Sequence, residues 1–366
     1  MSVLKKLKLQ NFRNISNAEI DFVKNNFILG SNSQGKTNIL EAIYSLSTGN
    51  SFRGHKDSWV IKTGELYAKL EAEFLIDDEQ ISIELFWERD EDSVNRVIRI
   101  NKTNAKKKDI LNKSFMVLFS PDLVYLLKTS STNRRKFLDD LLSKVYIGYY
   151  DNLSGYNQAL RQRNMLLKLR NASPEDLEVW NQKLIQYGSK INQARQEVSD
   201  EINKRSQAWF KKLAPENPRE LKLTYSGTAT SKEDYKNKLK NVEYKDKQFG
   251  YTNFGPHRED LHINLGGFLA NQLASQGEFR LIVLAIKLAE GEYGKEMIKR
   301  PAIYLLDDVF SELDIDREQS VIESFAGGDQ VIYTITDETI IKDDLAGRIR
   351  VEDGSVTKTT HELSRT

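Results

Sequence analysis

The chain contains no cysteine, which excludes both a disulfide framework and a thiolate metal site. Histidine is nearly as scarce. His55, His257, His262 and His361 are too scattered to suggest a histidine-built metal centre. The opening Met1-Ser2-Val3-Leu4-Lys5-Lys6 lacks the apolar core of a secretory signal. No apolar run approaches the roughly 18 residues that a membrane span requires. The expectation is a soluble, cytoplasmic protein without membrane partners. Net charge is only +1, but this near neutrality hides an asymmetry. Between Pro121 and Phe249 there are 24 Lys and Arg against 16 Asp and Glu, whereas the remainder holds 30 against 37. A basic middle inside an acidic frame points to a polyanionic partner, although Lys-rich solvated helices leave the same signature. What is present is enough for a large core. At 366 residues and 39% apolar, the chain forms one large or two moderate domains.

The stretch with the most chemical content is Gly30-Ser31-Asn32-Ser33-Gln34-Gly35-Lys36-Thr37, which fits the phosphate-loop pattern G-x-x-x-x-G-K-[ST] without mismatch. Phosphates need many inward N–H donors, and glycines at both ends let the backbone wrap closely. Asn26-Phe27-Ile28-Leu29 reads as a buried strand entering the loop. Ile39, Ala42, Ile43 and Leu46 at helical spacing mark a helix leaving it, whose N-terminus favours an anion. The pattern assigns ATP contacts to Gly30 through Thr37, with Lys36 reaching the β- and γ-phosphates and the Thr37 hydroxyl on Mg²⁺.

Period-two alternation dominates the first third: Leu7, Leu9, Phe12; Ala18, Ile20, Phe22; then Leu70 to Ile76, Ile81 to Trp87 and Val94 to Ile100. The latter three predict an antiparallel meander with one buried face. Phe115 to Phe119 is a fully apolar strand. From Asn133 the period becomes helical, with a break expected at Gly148 or Gly155. Ser173-Pro174-Glu175-Asp176 is a helix start, and Trp180, Leu184, Tyr187, Ile191, Ala194, Val198 and Ile202 follow at spacings of three and four. This predicts an antiparallel helical arm. Leu221 to Tyr225 is a short strand, Gln276 opens another apolar helix, Val331 to Ile335 is a buried strand, and Arg348–Val351 with Ser355–Lys358 reads as a closing hairpin.

Ala302-Ile303-Tyr304-Leu305-Leu306 runs into Asp307-Asp308, a buried strand ending in two carboxylates. Asp307 is assigned to Mg²⁺ and Asp308 to orienting or deprotonating the attacking water. The two ATP motifs lie about 270 residues apart, so both ends of the chain must build one core and the arm must be an insertion. The expected division is 1–125 and 250–366 as an ATPase core around an inserted helical domain, 126–249. The fold class is α/β, a P-loop ATPase head of mixed sheet and antiparallel meander.

These residues carry a family resemblance. Asn11-Phe12-Arg13-Asn14, the phosphate loop, Asn50-Ser51-Phe52-Arg53, Phe119-Ser120-Pro121-Asp122-Leu123 and Arg134-Arg135-Lys136-Phe137-Leu138-Asp139 resemble the RecF recombination-mediator ATPases. So do Gly255-Pro256-His257-Arg258, Ala274-Ser275-Gln276-Gly277-Glu278, Asp307-Asp308 and Ser311-Glu312-Leu313-Asp314, in the family's order along nearly the whole chain. The resemblance implies an ABC-type head like those of SMC proteins, with a short helical lobe replacing the long coiled coil. It implies that Ser275, Gln276 and Gly277 of one subunit meet the ATP held by another, with Asp314 at that interface. A head-to-tail, ATP-dependent homodimer follows.

Four departures bear on this. Asp308 stands where transporter heads carry glutamate, one methylene longer, which predicts slow hydrolysis suited to a switch. The signature reads Ser-Gln-Gly-Glu, and the histidine expected after the last core strand is missing, with Thr336 or a neighbour in its place. Ser120-Pro121-Asp122 stands where a glutamine loop is expected. The implied function is an ATP-dependent DNA-binding protein of recombinational repair and replication-fork maintenance, a weak DNA-stimulated ATPase. It would bind duplex and gapped DNA, help RecR- and RecO-type mediators load recombinase, and support the SOS response. Candidate DNA contacts are Arg134, Arg135, Lys136, Arg161 and Arg163, with Lys168 and Arg170 nearby; Arg13 is a candidate to approach the nucleotide. The alternatives are a transporter ATPase subunit and a P-loop small-molecule kinase.

Overall fold

The computed structural model describes residues 2–54, 56–91, 93–169, 173–310, 321–322, 325, 328–341 and 345–359. The chain divides into two compact units: Met1–Val124 with Gly294–Thr366, and Tyr125–Tyr293. The first unit opens with β1 (Ser2–Phe12), β2 (Ile15–Asp21), β3 (Asn25–Leu29) and α1 (Lys36–Thr48). The meander follows as β4 (Tyr67–Ile76), β5 (Glu79–Asp90), β6 (Ser93–Ile100) and β7 (Thr103–Ala105), then α2 (Lys107–Leu111) and β8 (Met116–Phe119). Helix α3 (Pro121–Thr129) carries the chain into the second unit, which contains α4 (Ser131–Val145), α5 (Tyr149–Lys168) and α6 (Pro174–Leu213). There follow β9 (Leu221–Tyr225), α7 (Lys232–Asn241), α8 (Glu243–Phe249), β10 (Leu261–Leu265), β11 (Phe268–Leu269), α9 (Ala270–Leu273) and α10 (Gln276–Ile298). The first unit then resumes with β12 (Ile303–Asp307), β13 (Gln330–Ile335), β14 (Gly347–Glu352) and β15 (Ser355–Thr359).

Unit 1 contains two six-stranded sheets. One is antiparallel in the order β2-β1-β4-β5-β6-β7. The other is ordered β15-β14-β3-β13-β12-β8 and is parallel except for the β14–β15 hairpin. Their residue types explain the difference. Strand β4 alternates buried and half-buried positions, as a sheet with one covered face requires, whereas β12 and β13 are buried at every residue. Helix α1 contributes Ile39, Leu40, Ala42, Ile43 and Leu46 to a core cluster that also takes Leu7, Leu70 and Ile83 from the antiparallel sheet and Ile303 and Leu305 from the parallel one.

Unit 2 is built on α5 and α6. The buried positions of α5, Tyr149, Tyr156, Ala159, Arg163 and Leu167, form a stripe at spacings of seven, three and four. Gly155 meets Tyr187 and Arg163 meets Asn181, which fixes an antiparallel pair. Gly148, at φ 83, ends the α4–α5 connection, while Gly155 stays within the helix because its missing side chain lets Tyr187 approach. Ser173 and Asp176 exchange side-chain and backbone hydrogen bonds at the start of α6, with Pro174 in the first turn.

Two expectations need correction. The strand expected at Leu221 to Tyr225 is present as β9, but it does not stand alone, because β11-β10-β9 form a three-stranded antiparallel sheet in the second unit. The boundary expected near residue 249 also falls inside unit 2, which continues to Tyr293. Strand β10 pairs with β9, and Asn192 on α6 donates to Glu259, so residues following 250 are tied to the helical pair. The segment containing Ser275 to Gly277 therefore clusters with unit 2.

Candidate functional site

The phosphate-pattern loop is shaped by close approaches that only glycine permits. A Cβ on Gly30, whose φ is 158, would lie 2.3 Å from the Val351 carbonyl oxygen, and one on Gly35, at φ 119, would lie 2.9 Å from Asn14 Oδ1. Asn14 braces the loop from the β1–β2 turn: its Nδ2 donates to the Gln34 carbonyl at 3.0 Å, and its Oδ1 accepts from Asn38 Nδ2 at 2.8 Å. The β14–β15 turn holds the other side, where Gly354 N donates to the same Gln34 carbonyl. The α1 N-terminus after Gly35 has no side-chain cap. An uncapped helix start beneath a glycine-flanked loop suits an anion.

The charged side chains converge on a cavity of about 500 Å³ lined by Asn32, Ser33, Lys36, Thr37, Arg53, Asp122, Asp307, Asp308 and Thr334, among others. The Lys36 ammonium donates to the carbonyls of Gly30 at 2.6 Å and Ser31 at 3.0 Å. Burial pulls its pKa below the usual lysine range, against the opposing pull of Asp307 and Asp308. The Thr37 hydroxyl stands 3.0 Å from each Asp307 carboxylate oxygen. Thr334 Oγ1 donates to Asp307 Oδ1 at 2.8 Å and accepts from the Asp308 backbone N–H at 2.9 Å. Burial raises the Asp307 pKa, and these hydroxyl hydrogen bonds oppose the rise. Asp308 itself has φ 50, a left-handed conformation uncommon outside glycine, asparagine and aspartate. Among the described residues no group of three or more His, Asp or Glu forms a metal cluster.

Thr334 lines the cavity from within β13, two residues before the expected Thr336, which is not in the lining. Buried Gln330, at the start of the same strand, is spent on the Leu4 backbone, whereas Thr334 faces the cavity. Arg53 enters the sequence reading only as part of a motif, yet it lines the cavity, donates to Asn38 Oδ1 at 2.8 Å and pairs with Asp122 at 3.8 Å. Pro121 and Asp122 also line the cavity, in the stretch where a glutamine loop was expected. Arg13 is not in that lining. Its guanidinium pairs with fully buried Glu41 and donates to the Trp59 carbonyl at 2.9 Å, so it is a brace beneath α1 and the expected approach to the nucleotide is not seen. Glu41 also receives Ser51 Oγ at 2.6 Å and Arg53 at 3.4 Å.

Within unit 2, Ser275, Gln276 and Gly277 are exposed at the start of α10. Ser275 Oγ accepts from Glu278 N while the Glu278 carboxylate accepts from Ser275 N, a reciprocal cap. A Cβ on Gly277 would meet nothing within 4 Å. Asp314, with the rest of Ser311 to Asp314, lies outside the described residues, as does Arg170.

The basic candidates divide sharply. Arg163 is fully buried: Nη1 reaches Asp246 Oδ2 at 2.7 Å and Thr252 Oγ1 at 2.8 Å, and Nε donates to Asn181. It cannot contact DNA in this conformation, because its stripe position on α5 turns it inward. Arg134 is largely committed too, holding Asp260 through two hydrogen bonds and the Leu127 carbonyl through a third. Arg135 is half-buried and donates to the Glu259 carbonyl and Thr132 Oγ1. Lys136, Arg161 and Lys168 are exposed.

Comparison with known proteins agrees with this architecture. The family model described as RecF/RecN/SMC N terminal domain matches residues 3–357. The DNA replication and repair protein RecF of Thermoanaerobacter pseudethanolicus is 34% identical over 352 residues, covering 93% of this chain and 96% of the relative. That of Lachnoclostridium phytofermentans is 34% identical over 355 residues, covering 96% of each. A solved structure of the recombination mediator protein RecF with ATP superposes with a TM-score of 0.89 at 32% identity, over 98% of both chains. The Smc head domain of Pyrococcus furiosus, at 20% identity and a TM-score of 0.57, shares the fold. The ABC-type ATPase head expected from the sequence is therefore present, and among the described residues no helix is long and apolar enough to cross a membrane. By family model, sequence and structure alike, the chain belongs to the RecF family.

Proposed function

We propose that the chain is an ATP-controlled DNA-binding protein of recombinational repair and fork maintenance. The observation that carries this reading is the meeting of Thr37 and Asp307, 270 residues apart, beside the glycine-flanked loop. Mg²⁺ prefers oxygen ligands at about 2.0–2.1 Å in octahedral array, so adjacent ligand oxygens lie roughly 2.9–3.0 Å apart. The Thr37 hydroxyl and the Asp307 carboxylate have that separation. With few protein carboxylates at hand, the remaining positions suit phosphate oxygens and water. When bound there, Mg²⁺ would supply charge neutralisation across the β- and γ-phosphates.

The chain's own groups do the rest. Loop residues Gly30 to Gly35 wrap the phosphates, and Lys36 leaves the Gly30 and Ser31 carbonyls to reach the β- and γ-oxygens. Thr334 holds Asp307 in place and fixes the backbone of Asp308. Asp308 orients the attacking water, and its short side chain suits slow turnover, a weak ATPase that works as a switch. Ser275, Gln276 and Gly277 stand exposed with open space at the glycine, ready to meet ATP held by a second copy, so ATP drives a head-to-tail homodimer. The closed dimer binds duplex and gapped DNA through phosphate contacts and works with RecR- and RecO-type mediators to load recombinase in a cytoplasmic repair pathway that supports the SOS response. The relatives' description as DNA replication and repair proteins supports this.

Titration with a fluorescent ATP analogue tests the reading. Wild type should bind tightly only with Mg²⁺, Lys36→Ala should lose at least tenfold in affinity, and Thr37→Ala should lose mainly the Mg²⁺-dependent part. Turnover unchanged by duplex DNA would instead favour a kinase or a transporter subunit.

A further inference from the structure

The chain leaving α8 displays two aromatic rings on a backbone that is firmly held. Phe249, the last residue of α8, is 56% exposed, and Tyr251 is 39% exposed. Gly250 between them sits at φ 74 and turns the chain sharply. The two rings stack with centroids 6.0 Å apart and planes 26° apart. The Arg258 guanidinium, also exposed, lies 4.9 Å from the Tyr251 ring centre.

Beneath the rings the anchors Arg163, Asp246 and Thr252 are buried, and Asn164 and His257 are half-buried. Thr252 is fully buried, and its hydroxyl hydrogen-bonds with Arg163 and Asn164. Buried Asp246 takes the Asn253 backbone N–H at 2.8 Å, and His257 Nε2 meets the Thr252 carbonyl at 3.0 Å. The Arg163 that charge alone assigns to DNA thus serves to pin this loop. Isolated exposed rings are ordinary on protein surfaces. A stacked pair with a cation over one face, on an anchored turn, is a preformed π surface that needs little ordering to bind a planar partner.

The surrounding charge selects the partner. Unit 2 carries 27 Lys and Arg against 20 Asp and Glu, and the exposed Lys168 stem lies beside Gly250. A planar group attached to a polyanion fits both features. We propose that Phe249, Tyr251 and Arg258 form a stacking platform for an unpaired nucleobase, holding the single strand where it leaves a duplex. Every base has a π face, so the platform is blind to sequence. The inference rests on the DNA-binding reading above and adds to it the site that senses single-stranded character.

Fluorescence anisotropy of the full chain with ATP–Mg²⁺ tests this, using a blunt duplex and the same duplex bearing an oligo-dT tail. Wild type should prefer the tailed duplex. The double variant Phe249→Leu/Tyr251→Leu, which keeps apolar bulk but removes the rings, should lose about five- to a hundredfold on the tailed probe. It should stay within twofold of wild type on the blunt probe, with an unchanged thermal melt. Phe249→Tyr should keep the preference. A leucine variant that retains the tail preference overturns the platform, as does one that loses blunt and tailed binding equally. Tail preference absent from wild type, with the blunt duplex still bound, overturns the platform and leaves the DNA reading standing. Wild type ignoring both probes sinks both.

Discussion

Charged groups in the two units are spent differently. In unit 1, Lys36, Arg53, Asp307 and Asp308 line one open cavity, and several of their partners are hydroxyls or carbonyls that a ligand can replace. In unit 2, Arg163 and Arg195 are buried and locked to carboxylates, Arg163 to Asp246 and Arg195 to Asp139, with Arg195 Nη1 also on the Pro256 carbonyl. Burial pushes the Asp139 pKa up while Arg195 holds it down. Unit 1 is the acidic one, 27 basic residues against 33 acidic, and unit 2 is the basic one. The lesson is that net charge describes a surface poorly when its arginines are internal ties. A cation facing a cavity is available for chemistry, whereas one facing a buried carboxylate is architecture.

The strongest way to break this contrast is to remove one tie. Arg163→Ala strands Asp246 in the interior and should destabilise unit 2 by about 3–5 kcal/mol. Exposed Arg161→Ala should shift stability by less than about 0.5 kcal/mol. Urea unfolding of both variants decides it; equal stability with lost DNA binding in Arg163→Ala would make that arginine a contact after all. Next comes the loop of unit 1. Gly30→Ala drives a methyl toward the Val351 carbonyl and should cost about 1–3 kcal/mol together with nucleotide binding.

A smaller effect separates the units by pH. His257 lies between the Tyr156 hydroxyl at 2.7 Å and the Thr252 carbonyl at 3.0 Å, and burial lowers its pKa to about 4. Between pH 6.5 and 4 the unfolded chain binds a proton that the folded chain refuses, so this contribution to stability is lost as pH falls through that window. Glu259, raised by burial, works in the opposite direction. The check is therefore differential: thermal melts of His257→Gln against wild type should show a shallower decline from about pH 6.5 to 5. Smallest in stability is Gly277→Ala, which meets open space and should leave the melt within about 0.5 kcal/mol. If a second copy covers that glycine, ATP-driven association should nonetheless weaken.

The same contrast explains what the sequence revealed. The phosphate loop and the Ile303–Asp307 strand were legible because each imposes several constraints at fixed spacing, so the meeting of Thr37 with Asp307 could be anticipated across 270 residues. Arg163 was misread because charge says nothing about direction. Its position on the stripe from Tyr156 through Ala159 to Leu167 carried the correction. Of the small sheet in unit 2, the strand Leu221 to Tyr225 was legible, but its partners were missed although Leu261, Ile263 and Leu265 alternate before a Gly266-Gly267 turn. Arg53 escaped because a lone arginine after a polar break has no spacing to constrain it; only folding brings it to Asn38 and Asp122.

The central claim is that the nucleotide at unit 1 governs assembly and DNA binding. Sedimentation velocity of wild type and Lys36→Arg, with and without ATP–Mg²⁺ and a short gapped duplex, tests it directly. The expected result is a dimer that forms with ATP, carries DNA, weakens steeply as salt rises and is lost in the variant. A wild type that hydrolyses ATP yet stays monomeric and sediments apart from DNA would contradict it.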